Sequence, residues 1–372
     1  MKCIISRSKN FEQIFKLSKF PIFCGVIDNN KKKIEKKNLV FWINKDSGTV
    51  QVYPKIKLDK LYKYGHGSGT IGKTWANHHE FFFKFIEKKL KGIILEIGAG
   101  NNSIISKLNN SHKIETLYSI GKNVDKSKKN KKIKIIDDYF SEKIINKKIK
   151  RKVDVVLHSH FFEHVYNPNK FLKEVHNIIS DQGYQCFSVP NMTEMLKSYQ
   201  ANAVNFEHPF YYDKDMIKNL LLSNGFKIVK TKKFLDNHSI MYITKKVDKF
   251  KTKKYSKFST NKKIFSKLHS SWIKDKERIE NYLKNGKNIF VFGAHIFSQV
   301  ILHLVKNKED ILGVLDNDKN KIGKFLYGFD LRVFNPEILN KYENPHVYMR
   351  IGAYSKEIRN QILKINKNAK FM

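Results

Sequence analysis

Two stretches of the chain carry residue types and spacings that can do chemistry. The first is Leu95-Glu96-Ile97-Gly98-Ala99-Gly100-Asn101-Asn102, which follows an apolar run at 93–95. An apolar strand that ends in two glycines one residue apart lets the backbone turn sharply and approach a ligand without a Cβ in the way. If a helix follows, its first N–H groups point at that ligand. A nicotinamide site would ask for a further Gly at 103 and no acid at 96. The second stretch is Asn205-Phe206-Glu207-His208-Pro209-Phe210. An imidazole that titrates near neutrality can take a proton from a hydroxyl or an acidic carbon, and Glu207 next to it sets local charge. The plainer reading of His208 is a histidine that packs a loop.

A third cluster is His158, His160, Glu163 and His164. His160 and His164 stand four apart, which on a helix would suit a shared metal. The family resemblance described below implies instead that these residues lie in a turn after a strand (153–158), so no metal is expected there.

The surrounding elements follow from periodicity. Buried strands are expected near 93–97, 114–120, 133–137, 153–158 and 184–189. They alternate with helices at 75–90, 103–110 and 169–179, and Asp181-Gln182-Gly183 reads as a turn before the fifth strand. That alternation defines an α/β fold with a parallel sheet. Residues 1–60 read as short strands, with a hairpin turn at Asp46-Ser47-Gly48, and 61–74 as a Gly-rich loop. Lys-rich 246–262 reads as a linker before a helix at 263–285. A second strand–loop–helix unit starts at Asn288-Ile289-Phe290-Val291-Phe292-Gly293. The resulting division is 1–74, a small β-rich N-terminal region; 75–245, the central Rossmann-like domain; 246–286, linker and helix; and 287–372, a smaller C-terminal Rossmann-like domain.

Composition narrows the classes. The net charge is +38, yet only six of the 72 basic residues are Arg. Bidentate readers of bases and phosphates favour Arg, so the charge reads as a Lys-rich solvated surface and no specific nucleic-acid partner is expected. Three scattered cysteines form no disulfide framework. No apolar run reaches the ~18 residues of a membrane span. A cytoplasmic protein is the expectation.

The Glu-x-Gly-x-Gly form at 96–100 resembles the S-adenosylmethionine (SAM) motif of class I methyltransferases. The following pieces resemble that family in order and spacing. Ile135-Ile136-Asp137-Asp138 ends a strand where the family places the acid that accepts from the adenine amine. Phe162-Glu163-His164 stands where the family has Leu-Glu-His before a helix, with His160 in the turn beside the cofactor. The resemblance implies SAM as cofactor, bound through Glu96, Gly98, Gly100, Asp138 and His160. The family's ribose-binding acid falls at Gly121, with Asp125 four residues late.

The layout as a whole is similar to that of three-domain sugar C-methyltransferases, which methylate a carbon of a nucleotide-linked keto-deoxysugar. That resemblance implies catalytic roles for His208 and Glu207, which match the last two residues of a His-Glu-His stretch. It implies supporting roles for Tyr64 and His66 in the segment 62–70. The family's N-terminal zinc module has two Cys-x-x-Cys pairs. Here Cys3-Ile4-Ile5-Ser6 keeps one thiol and 42–47 keeps none, so no zinc is expected and apolar packing around Phe41 and Trp42 must hold the module. Gly293, Asp316 and Gly323 are similar to the family's third domain, read as a wall of the substrate cleft.

The expected activity is methyl transfer to a nucleotide-activated sugar in glycan or glycoside biosynthesis, at carbon or at oxygen. A methyltransferase of RNA or protein, and a non-catalytic scaffold on the same fold, are the alternatives.

Overall fold

The computed structural model describes residues 1–29, 34–63, 72–98, 104, 107–108, 113–122, 133–248, 250 and 255–372. The expected helix at 103–110 lies largely outside the described residues, as do Tyr64, His66, Gly100 and Asp125.

The strands in chain order are β1 (Phe11–Pro21), β2 (Val26–Ile27), β3 (Lys36–Asn44), β4 (Val50–Val52), β5 (Gly92–Ile97), β6 (Ile114–Ile120), β7 (Ile133–Ile136), β8 (Val153–Ser159), β9 (Ile179–Pro190), β10 (Phe226–Phe234) and β11 (Ser239–Lys246). They continue with β12 (Ile289–Phe292), β13 (Gly313–Leu315), β14 (Phe325–Leu326), β15 (Val333–Phe334), β16 (His346–Tyr348) and β17 (Lys370–Phe371). The helices are α1 (Leu58–Leu61), α2 (Lys73–Ile86), α3 (Glu142–Lys148), α4 (Pro168–Ile178), α5 (Met192–Lys197), α6 (Lys214–Ser223), α7 (Phe258–Lys284), α8 (Ile296–Leu304) and α9 (Ser355–Ile365).

The central sheet has the order β10-β11-β9-β8-β5-β6-β7. β5 through β9 pair in parallel, and the β10–β11 hairpin joins antiparallel at β9. The sheet is buried on both faces, which explains why β5 reads as a continuous apolar run. Ile93, Leu95 and Ile97 face one core with Val156 and Phe187. Ile94 faces the other, with Phe82, Leu117, Val155, Leu157 and Met241. Sequence order reverses between β5 and β8, the switch point at which open α/β sheets bind ligands beyond the strand ends.

Asp181-Gln182-Gly183 differs from its expected turn. These residues lie inside β9, and the register against β8 shifts there, from Val153↔Ile179 to Val155↔Tyr184. The extra residues bow out of the ladder as a bulge, so turn-forming residue types mark a bulge and not a chain reversal. α4 begins as its residues dictate: Pro168 sits in the first turn and the Asn167 side chain accepts from Lys170 N–H.

The three-stranded sheet β1-β3-β4 is antiparallel. Phe41 is fully buried against Phe15 and Phe265. Beside it, Cys3, Ser6, Asn44 and Ser47 converge. Cys3 Sγ lies 3.3 Å from Ser47 Oγ, and the Ser6 and Ser47 hydroxyls each donate to Asn44 Oδ1 at 3.0 Å. Apolar packing is thus joined by a partly buried polar knot.

α7 buries Phe265, Leu268, Trp272, Asp275 and Ile279, alternating steps of three and four that give one face of a helix. Its start at Phe258 lies earlier than the sequence suggested. The C-terminal five-stranded sheet, β15-β13-β12-β16-β17, is wholly parallel. A contact that the sequence does not announce ties the two ends of the chain: β2 pairs antiparallel with β14.

Candidate functional site

The loops at the carboxyl ends of β5, β8 and β9 carry the candidate residues. Gly98 follows β5 at φ 71°, donates to Ile120 O at 2.8 Å, and has no room for a side chain: a Cβ there would lie 2.4 Å from the Phe161 ring. Glycine is therefore required on two counts. Glu96 is 2% exposed and accepts from Ile104 N–H at 2.9 Å. Its carboxylate thus ties the end of β5 to Ile104. Gly121 follows β6, where its N–H donates to Ile136 O, and Lys122 comes next. Asp138 follows β7 with its carboxylate about half exposed, accepting from Tyr139 N–H at 2.7 Å and 3.8 Å from Lys122 Nζ.

β8 delivers the next group. His158 belongs to the core: it stacks on Phe187, meets Gln185 Nε2 at 2.9 Å, and burial pushes it down to about 3. It stays neutral and takes no part in the cleft. His160 turns the chain at φ 47°, a conformation a non-glycine residue rarely holds. Its backbone N–H donates to Ser188 O, and its Nε2 lies 2.7 Å from Ser239 Oγ. The short 3₁₀ turn Phe162–His164 then points Glu163 and His164 inward.

The loop after β9 supplies Glu207 and His208, both buried. Asn205 Oδ1 accepts from His208 N–H at 2.9 Å, and His208 Nδ1 donates to Ala203 O at 3.1 Å. With its proton held at Nδ1, the ring keeps its lone pair at Nε2, the tautomer a base needs. The His164 ring lies 5.0 Å from that of His208. His164 Nδ1 is 3.2 Å from Glu207 O, 3.4 Å from Tyr62 Oη and 3.7 Å from Glu207 Oε2. Ligating atoms of Glu163, His164 and His208 all come within 4.8 Å of one another. Burial raises Glu163 to about 8, so it keeps its proton at neutral pH. The N-terminal sheet holds this loop in place, because Val52 N–H donates to Pro209 O and Tyr211 N–H to Val50 O.

Glu207 and His208 are thus brought together with Glu163, His164 and Tyr62. Sequence reasoning set His164 aside with the metal candidates and did not single out Tyr62. The Glu163-His164 pair in the turn after β8, itself legible, was the signal for the first. Asp316 accepts from Ala294 N–H at 2.7 Å and from Asp318 N–H at 2.9 Å, so its carboxylate joins the turn after β12 to the turn after β13. A surface cavity of about 550 Å³, lined by Arg7, Asn169, Lys170 and Lys173 among others, shares no residue with this cluster.

A doubly covered α/β sheet with a Gly turn after its first central strand and acids and imidazoles at the neighbouring strand ends defines a nucleotide-cofactor enzyme. Residues 71–231 match the family described as Methyltransferase domain, and 285–372 match the family described as C2185-like, N-terminal. The chain is a SAM-dependent methyltransferase. No curated protein matches it. Among solved structures it is similar to a SAM-dependent methyltransferase from Clostridium acetobutylicum at 13% identity, covering 51% of this chain and 96% of that one, with a TM-score of 0.36. The N-methyltransferase NodS from Bradyrhizobium japonicum gives 10% identity, 48% and 100% coverage, and 0.35. A SAM-dependent methyltransferase from Aquifex aeolicus gives 15%, 44% and 88%, and 0.34. No helix among the described residues is long and apolar enough to cross a membrane.

Proposed function

We propose that the enzyme methylates a nucleotide-activated sugar, at a carbon in preference to an oxygen, with His208 as the base. The observation that carries the reading is the buried His208 ring, fixed through Nδ1 by Ala203 O and set against His164. A carbon acceptor must lose a proton before it can attack a methyl group. An imidazole with its lone pair at Nε2 removes that proton, and the neighbouring Glu207 carboxylate stabilises the imidazolium that results. Glu163, protonated at neutral pH, donates a hydrogen bond to the enolate oxygen. Supporting roles for Tyr64 and His66 rest on the family resemblance alone.

The residues present fit the cofactor. Gly98 gives the close backbone approach, Glu96 holds the Ile104 N–H, Gly100 is assigned by the resemblance, and the half-exposed Asp138 carboxylate is available to an amine. His160 sets the course of the turn beside them. SAM supplies an electrophilic methyl group on a sulfonium. In this reading 75–245 is the methyl-transfer domain, 1–74 and 287–372 wall the cleft, and 246–286 joins them.

The test is solvent-deuterium exchange, followed by NMR, on a panel of keto-deoxysugar nucleotides. Enzyme-dependent exchange at the carbon next to the carbonyl, absent in His208→Ala, is expected without SAM, with a methylated product once SAM is added. Methyl transfer to RNA or protein, with no exchange on any sugar nucleotide, would overturn the proposal.

A further inference from the structure

α2, the turn after β8 and the β10–β11 hairpin bring three histidines to one point. His78 is completely buried, and neither of its ring nitrogens has a hydrogen-bond partner. A buried polar atom left unpaired is costly, so a doubly unpaired imidazole calls for a ligand. His160 Nε2 lies 2.7 Å from Ser239 Oγ, and His238 Nδ1 lies 2.5 Å from the same oxygen. Ligating nitrogens of the three rings all lie within 4.8 Å of one another. The ring centroids are 5.1 Å (His78–His238), 5.2 Å (His78–His160) and 5.7 Å (His160–His238) apart. Three imidazoles on a tetrahedral ion, at about 2.0–2.1 Å from each nitrogen, have centroids about 5 Å apart.

The surroundings complete the pattern. The outward nitrogen of His160, Nδ1, is 3.4 Å from Glu163 Oε1, and that of His238, Nε2, is 3.3 Å from Tyr354 Oη. Metal-bound histidines present their second nitrogen to such oxygen partners. Trp75 lies with its ring centroid 4.9–5.3 Å from all three, an apolar cover.

We infer that His78, His160 and His238 ligate a divalent first-row metal ion, zinc for preference, with the Ser239 hydroxyl turning aside as it enters. This reverses the expectation of no metal. Three protein ligands leave the fourth position open. The ion ties α2 and the hairpin to the turn that carries Glu163, at the rim of the candidate active site.

The experiment is titration of chelator-stripped full-length protein with zinc alone and with cobalt alone. One equivalent is expected at micromolar affinity or tighter, with a tetrahedral cobalt spectrum and a melting temperature raised by several degrees in excess zinc. X-ray absorption should show a first shell containing three imidazoles. His78→Phe, which keeps a buried ring, should lose the equivalent, and His303→Asn, outside the cluster, should keep it. Absence of stoichiometric binding at submillimolar zinc overturns the proposal. So does a folded His78→Phe protein that still binds one equivalent. Should that variant not fold, a wild-type first shell of sulfur or of oxygen alone overturns it equally.

Discussion

The Glu207 carboxylate comes within 3.7 Å of His164 Nδ1, and the His164 ring lies 5.0 Å from that of His208. Glu207 therefore stands beside a pair of neighbouring imidazoles, where its charge favours a proton arriving on either ring. His208→Ala should lower kcat by roughly 10²–10⁴-fold, the usual worth of a positioned acid or base. Glu207→Gln should cost less, since it removes the charge and keeps the shape. SAM affinity should be unchanged in both. Release of S-adenosylhomocysteine gives the rate and calorimetric titration with SAM gives the affinity. A His208→Ala enzyme with full kcat would remove His208 from the role of base.

Gly121 makes a second point testable. It stands directly after β6, in line with the turn after β5 (Ile97 pairs with Ile120), yet carries no side chain, and Lys122 follows. A carboxylate at 121 would accept hydrogen bonds from a ribose on the cofactor. A bond to a charged group is worth about 1.5–3 kcal/mol. Gly121→Asp should accordingly tighten SAM binding by roughly tenfold or more. Gly98→Ala should do the opposite, because its Cβ would meet Phe161 at 2.4 Å in a left-handed backbone. Equal SAM affinity in Gly121→Asp and wild type would mean the ribose is held elsewhere.

The sequence made the sheet legible because parallel strands are buried on both faces and read as apolar runs, as at Ile93-Ile94-Leu95 and Val155-Val156-Leu157. The Gly-rich turn was legible for a related reason: few residues fit a left-handed backbone. The pairing of β2 with β14 was not, because two-residue strands carry no periodicity. The 181–183 bulge was misread because a bulge and a turn favour the same residue types. The three-histidine cluster was invisible for a different reason. His78, His160 and His238 come from separate elements, so spacing along the chain contains no trace of their contact, whereas His160 and His164 suggested a helical pair that the turn at His160 breaks.

The three thiols should separate by pH. Burial raises Cys186 to about 12 and Cys24 well above its ordinary value. Cys3 is buried too, but hydrogen bonds from Ser47, Ser6 and the backbone outweigh burial and bring it below the ordinary thiol value. The thiolate is the nucleophile. Brief alkylation of the folded protein at mildly alkaline pH, read peptide by peptide in mass spectrometry, should label Cys3 first and leave Cys24 and Cys186 untouched. The sign for stability follows from Cys186. The folded thiol holds its proton more tightly than the unfolded one, so its contribution is intact below about 9 and is lost as pH rises toward about 12. A melting temperature that increased over that interval, in wild type relative to Cys186→Ala, would contradict this placement.

The polar knot at the N-terminus yields the last prediction. Cys3, Ser6, Asn44 and Ser47 form two i, i+3 pairs on two turns, and their side chains already touch: Cys3 Sγ to Ser47 Oγ at 3.3 Å, Ser6 Oγ and Ser47 Oγ to Asn44 Oδ1 at 3.0 Å each. The N–H groups of Ile5 and Ser6 both lie 3.4 Å from Cys3 Sγ, an arrangement that stabilises a thiolate. Four thiolates at this convergence would meet the requirement of a closed structural zinc site, four sulfur ligands in a tetrahedron. The triple substitution Ser6→Cys, Asn44→Cys, Ser47→Cys should add one equivalent of zinc to whatever the wild type binds, with sulfur ligation visible in the cobalt charge-transfer bands. Its melting temperature should rise in zinc and fall below wild type under chelation, because the hydrogen bonds that now join the two turns are gone. If the triple variant folds and takes up no additional zinc, the four positions do not present a tetrahedral set, and the knot is a polar core unrelated in geometry to a metal site.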